Sequence, residues 1–191
     1  MKSVFTTKSF ILASTFYIQE LVSYVSDHSL SIATYSLLLN LLIYFLMNGA
    51  QIFETLIFVP RWATGNLQNL QLLNIESKSA NLKYFWIVFH SLHEVIFLVS
   101  VLFCYQIEGI GLFLLILFLI HFLVRVWTVV YFAQKIIRFQ TLAETNNSHF
   151  SDNVRSEIKK WVFLNYFRVG IYLGISFCMI PLVIQILKMN G

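Results

Sequence analysis

Charge is the first thing this sequence lacks. Only 12% of its 191 residues are Asp, Glu, Lys or Arg, where a soluble domain carries roughly one quarter. Hydrophobic residues make up 58% and the mean hydropathy is +0.74, which excludes an ordinary soluble globular domain and points to an integral membrane protein. Soluble-enzyme motifs are missing as well: there is no Gly-rich phosphate loop, no Cys-x-x-Cys pair and no Gly-x-Ser-x-Gly elbow. Cysteine is almost absent. Cys104 and Cys178 both fall toward the same end of their apolar runs; a disulfide there is conceivable, but buried cysteines more often serve as small hydrophobes. No internal repeat is visible, which argues against a transporter built from duplicated halves.

What the chain does have is long apolar runs. With about 20 apolar residues needed per crossing, four spans are predicted, 32–59, 85–104, 110–132 and 161–187. The implied fold is an all-α integral membrane protein, a four-transmembrane-helix bundle. Pro60-Arg61-Trp62, Lys83-Tyr84-Phe85-Trp86 and Lys159-Lys160-Trp161 mark its borders as interfacial anchors. Residues 1–31 form a separate N-terminal segment. The apolar positions 10, 11, 18, 21, 22 and 25 have helical spacing, interrupted by Gln19 and Glu20, so an amphipathic interfacial helix is the first reading, with a signal peptide or fifth span as alternatives.

The basic residues set the orientation. Arg61, Lys78 and Lys83 lie between spans one and two, and Lys135, Arg138, Arg155, Lys159 and Lys160 between three and four. The positive-inside rule therefore makes loops 60–84 and 133–160 cytoplasmic and puts both termini outside. On this reading the net charge of +4 is a topology signal and no nucleic-acid partner is expected. The Asn146-Asn147-Ser148 sequon lies on the side hidden from glycosylation.

Each span carries one polar stripe. Asn48, Gln51 and Glu54 occupy the first; His90, His93 and Glu94 the second; His121, Arg125 and Thr128 the third; Trp161, Asn165, Arg168 and Tyr172 the fourth. Residues three or four apart share a helix face, so four stripes can meet inside a bundle. Counting about 1.5 Å per residue from the basic end puts the ionisable groups about 6 to 15 Å deep, with His121, Gln51 and Asn48 at up to about 20 Å. Glu54 and Glu94 face Arg125 and Arg168 there, so charge balances within one layer. Each such charge at mid-membrane costs about 2.5–3.5 kcal/mol unpaired. The layer is therefore either a structural ion-pair network fixing helix order or a functional cavity.

Three roles are open to the histidines. His90, His93 and His121 with Glu54 and Glu94 could ligate iron, zinc or copper, and haem ligation is a variant. They could act as general bases or a proton relay without any metal. They could also be structural, each ring hydrogen-bonded to a carboxylate.

Two segments carry a resemblance. Asn48 to Trp62, NGAQIFETLIFVPRW, is similar to the first-span signature of the small four-span membrane family that includes the anthrone oxygenases. Trp161 to Gly174, WVFLNYFRVGIYLG, resembles its last span, W-x-x-x-N/H-x-x-R. The resemblance implies oxidation of a hydrophobic aromatic small molecule with molecular oxygen, without a classical cofactor, by base-assisted proton removal. It would place Glu54, Trp161, Asn165 and Arg168 along the site. His90, His93, Glu94 and His121 stand as catalytic candidates on their chemistry, and Asn48, Gln51 and Arg125 as substrate-binding or anion-stabilising ones. The alternatives are a non-catalytic membrane helper or assembly protein, a metal- or haem-binding redox protein and a proton-coupled transporter. Gly170-x-x-x-Gly174 could seat a neighbouring span or an oligomer partner.

Overall fold

A computed structural model describes residues 16–64, 67–79, 82–144 and 152–190. The described residues begin with helix α1 (16–27), which turns at His28 and continues as α2 (Ser29–Phe53), a π-helical turn (Glu54–Phe58) and α3 (Val59–Trp62). Then follow α4 (Leu67–Ser79), α5 (Leu82–Cys104), α6 (Gly111–Trp127), a second π-helical segment (Thr128–Ala133), α7 (Gln134–Glu144) and α8 (Asp152–Asn190). The described residues contain no strand. Residues 1–15, with Lys2 and Lys8, and residues 145–151, with the Asn146 sequon, lie outside the described residues.

Four helices are long and apolar enough to cross a membrane: Ser29–Trp62, Tyr84–Cys104, Gly111–Glu144 and Asp152–Met189. The protein is thus an all-α four-span membrane bundle. Two of these helices outrun their apolar stretches. Polar residues of 133–144 and 152–160, read from sequence as loop, extend the third and fourth helices beyond the apolar zone.

The bundle closes as a ring. α2 packs on α5 and α8, and α6 packs on both of those from the opposite side. One apolar cluster fills the half away from the basic loops, where Leu37, Phe97, Leu114, Met179 and Ile186 are fully buried. Lipid is as apolar as these side chains, so dispersion and close packing hold this half together. A second cluster at the basic-loop end joins Trp62, Leu70, Phe132, Phe139, Ile158 and Trp161. It places loops 60–84 and 133–160 at the same end of the bundle.

Local chemistry explains the irregular points. The turn from α5 into α6 needs Gly109, whose φ is +77°, and Gly111, where a Cβ would sit 2.1 Å from the Tyr105 carbonyl oxygen. The first π segment is followed by Pro60, which has no N–H to give and crowds the carbonyl four residues back, so the wider turn relieves the ladder there. In the second, Thr128 returns its hydroxyl to the Val124 carbonyl at 2.8 Å and Trp161 donates to the Phe132 carbonyl at 3.4 Å.

Both thiols are free, Cys104 buried and Cys178 exposed. Gly170 and Gly174 face outward, and a Cβ on either would meet nothing within 4 Å. Close packing within the bundle therefore does not use them.

Candidate functional site

The polar stripes meet along the bundle axis and form two distinct assemblies. The first joins α2, α5 and α6 around Glu94. The His121 Nε2 lies 2.8 Å from Glu94 Oε1, and Arg125 Nε donates to the same oxygen at 3.1 Å. Behind the imidazole, the Tyr44 hydroxyl meets His121 Nδ1 at 2.8 Å. Arg125 Nη1 reaches His90 Nε2 at 3.0 Å, and its guanidinium carbon lies 5.1 Å from the centre of the Tyr172 ring. Glu94 is thus balanced by Arg125 on the facing helix.

Proton positions follow from the partners. Arg125 only donates, so His90 Nε2 is the acceptor and its hydrogen sits on Nδ1, a buried donor with no hydrogen-bond partner. His90 also stacks on Trp86, ring centres 5.0 Å apart. His93 is fully buried and pairs with Asn40 at 3.0 Å, leaving His93 Nδ1 and Asn40 Nδ2 unpartnered. Neither ring offers a free basic nitrogen to the bundle surface. Glu94 instead has a second carboxylate oxygen, Oε2, with no hydrogen bond among the described residues, and its side chain is 30% exposed.

Glu94 lines a cleft of about 590 Å³ between α5 and α6. Val95, Leu98, Phe118, Phe122, Val126 and Val129 form apolar walls, with His90, Glu94 and Arg125 at the floor. The wall residues Val95, Leu98, Phe122 and Val129 are exposed on the outside of the bundle, so in a bilayer the cleft opens sideways onto lipid.

The second assembly is closed. On α8, Asn165 donates to Thr55 Oγ1 at 3.0 Å, and Arg168 Nη2 donates to Asn165 Oδ1 at 2.7 Å. Arg168 Nη1 reaches Thr128 Oγ1 at 3.4 Å, and the guanidinium lies over Phe132, 4.5 Å from its centre. Thr55 sits in the first π segment; Thr128 and Phe132 sit in the second. Trp161, Asn165 and Arg168 therefore all touch the π-helical segments, bridging one to the other. Glu54 opens the first π segment, and the groups acting on its carboxylate are Arg168 and the Trp86 indole. It makes no ion pair under 4.0 Å with Arg168, whose Nε is buried without a partner.

Between the two assemblies, Asn48 donates to Ser176 Oγ at 3.0 Å and to the Tyr172 carbonyl at 3.4 Å. Gln51 is buried with Oε1 unpartnered. Of the sequence candidates, His90, Glu94 and Arg125 line the cleft, and His121 is buried behind Glu94. Glu54, Trp161, Asn165 and Arg168 gather at the π segments, and His93, Asn48 and Gln51 line the axis. Among the described residues no three His, Cys, Asp or Glu side chains converge as a metal ion would require. The imidazoles that might serve are turned to Arg125, Asn40, Tyr44 and Glu94.

Sequence reasoning missed Tyr44 and Asn40. Both fall on the α2 face that carries Asn48 and Gln51, at spacings of four, four and three; a lone Tyr or Asn in an apolar run gives no stronger signal. Depth counting also misled, because it started every helix at one level. It puts Asn40 about 28 Å and His93 about 12 Å from the basic end, yet they are hydrogen-bonded. The first helix runs on to Trp62, buried in the basic-end cluster, so its end lies beyond the level where α5 begins.

Comparisons with protein families, curated proteins and solved structures return no match.

Proposed function

We propose that the protein is a membrane-embedded enzyme that oxygenates a hydrophobic hydroxyarene, entering sideways from the bilayer, with Glu94 as general base. The resemblance to the anthrone oxygenases suggests the reaction. The observation that carries the site is Glu94 lining an apolar cleft, with Oε1 fixed by His121 and Arg125 and Oε2 left without a hydrogen bond among the described residues. A base must reach its proton with a free lone pair, and of the ionisable groups lining the cleft, His90 and Arg125 being engaged with each other, Glu94 is the one that offers it.

For an activated ring CH2 the sequence of steps is simple. Glu94 Oε2 takes one proton and the electron pair delocalises into the ring and onto its oxygen. Arg125, beside the same floor, stabilises that anion. The anion then reduces oxygen, and the balance is CH2 plus O2 giving C=O plus H2O. Both reactants are apolar and concentrate in the bilayer. In this reading the basic loops face the cytoplasm, as their Lys and Arg content directs.

One observation favours a second reading, a non-catalytic helper. The π-segment assembly engages Asn165 and Arg168 with each other and with two threonines, as a purely structural network would. Oxygen uptake by the purified protein with 1,8-dihydroxyanthrone separates the two. Uptake with quinone formation, reduced about 100-fold or more in Glu94→Gln, supports the enzyme; no uptake above a protein-free control, or uptake untouched by the substitution, sinks it in favour of the helper.

A further inference from the structure

Tyr44 and His121 form a deeply buried polar pair behind Glu94, and neither lines the cleft. Tyr44 is 2% exposed and His121 is fully buried. They join α2 to α6 and, through Glu94, to α5 by two contacts of 2.8 Å in series. Such a line of phenol, imidazole and carboxylate is costly to bury unless each proton has a place.

The protons can be assigned. With Arg125 Nε 3.1 Å from Glu94 Oε1, the carboxylate is ionised and accepts only. The facing His121 Nε2 must then carry the hydrogen, since a bare nitrogen would set lone pair against lone pair. Neutral imidazole keeps one N–H, so Nδ1 is the acceptor and the Tyr44 O–H is its donor. Arg125 Nε also lies 3.3 Å from His121 Nε2, but the carboxylate oxygen is nearer and charged, so it takes the hydrogen. Tyr44 thus donates to the one nitrogen this tautomer leaves bare and so favours it, and the same tautomer places the His121 N–H on Glu94.

We propose that Tyr44 and His121 are positioning residues: Tyr44 selects the His121 tautomer, and that tautomer holds Glu94 ionised and turned so that Oε2 faces the bilayer. This deepens the proposed function and rests on it for its purpose, but not for its test. The other titratable or charged groups around Glu94 are His90 and His93 on its own helix, Arg125 on α6, Glu54 next to α2, and Arg168 and Tyr172 on α8. Arg125 is the only other partner of Oε1, so it sets the baseline against which the His121 contribution is read.

A hydrophobic carbodiimide reads the proton on Glu94 directly. Dicyclohexylcarbodiimide partitions into the bilayer and adds a protonated carboxyl across one C=N bond. The carboxyl oxygen bonds to carbon, the proton goes to nitrogen, and nothing leaves. Full-length protein in phosphatidylcholine vesicles is labelled over a pH series, and the modified residue is found by peptide mass analysis, with Glu94→Gln as the control that removes the site. Expected is labelling at Glu94 that rises as pH falls. In His121→Phe the midpoint moves up by about one unit, so that labelling above the midpoint is about tenfold faster. Tyr44→Phe gives a smaller upward shift, about threefold in rate, and His121→Asn, which restores an N–H donor, falls between wild type and His121→Phe. A merely structural role would lower thermal stability without ordering the midpoints in this way.

Midpoints equal to wild type in Tyr44→Phe and His121→Phe overturn the proposal. Absence of Glu94 labelling in the wild type at every pH overturns it too, together with the bilayer-facing base. If His121→Phe does not fold, the near-isosteric Tyr44→Phe decides alone. Graded midpoints without oxygen uptake leave the positioning pair standing and remove the oxygenase reading.

Discussion

The Glu94 assembly and the π-segment assembly are built from the same kinds of residue, yet one opens and the other closes. Glu94 keeps an oxygen without a partner at the foot of a lipid-facing cleft. Asn165 and Arg168 turn their amide and guanidinium inward onto Thr55, Thr128 and each other. The difference teaches that burial of charge in a membrane is not by itself a mark of chemistry. What distinguishes the two is whether hydrogen-bonding capacity remains at an accessible face.

The largest effect that could break this comparison is on turnover. Glu94→Gln keeps size and an acceptor but loses the basic oxygen, so oxygen uptake with the anthrone should fall about 100-fold or more, with a loss of stability as well because Arg125 is left without its counter-charge. Arg168→Met should cost stability but leave turnover near wild type. It strips the donors from Asn165 and Thr128 and the cation from the Phe132 face, with a cost of about 1.5–3 kcal/mol in stability. Denaturation in a mild detergent measures the stability and oxygen uptake the turnover; equal losses of turnover in the two variants would erase the distinction.

A smaller effect tests the bridge between the π segments. Asn165→Leu and Thr55→Val each remove one end of the 3.0 Å bond. Combined in a double-mutant cycle they should show a coupling of about 1 kcal/mol. Additive losses would mean that α8 touches the first π segment without holding it.

The same comparison shows what the sequence makes legible. Four spans follow from hydropathy alone, because nothing but helix satisfies backbone groups in lipid. Polar residues at helical spacing in apolar runs pointed to one face of each span, and Glu94, His121 and Arg125 do meet. Two things were not legible. Tyr44 looks like any aromatic in a membrane helix until its hydroxyl is seen 2.8 Å from His121. The π segments have no signature beyond Pro60, so nothing in the chain announced that Trp161, Asn165 and Arg168 would be directed at them. Charge balance within a layer is likewise visible as a sum, whereas the pairing of Arg125 with Glu94, and of Arg168 with neutral partners, depends on helix rotation.

The smallest effect lies outside the membrane, where a third ionic cluster serves as reference for the two inside. Lys135 and Arg138 on α7 both reach Glu157 on α8, at 3.0 and 2.8 Å. All three side chains are partly solvated, Arg138 being 51% exposed. The hydrogen bond from Lys135 first, and Arg138 with it, holds the Glu157 carboxyl below its usual range. A depressed carboxylate stabilises the fold above its unfolded titration range and loses that contribution as pH falls through its folded value. Stability should therefore be flat near neutrality and drop slightly in the acid carboxylate range. Glu157→Gln should remove that slope and cost less than about 1 kcal/mol, since exposed ion pairs rarely contribute more, and added salt should shrink even this. Salt should leave the Glu94 labelling midpoint nearly unmoved, because lipid keeps counterions from that cleft; equal salt sensitivity at Glu94 and Glu157 would show that the cleft is filled with water and not with bilayer.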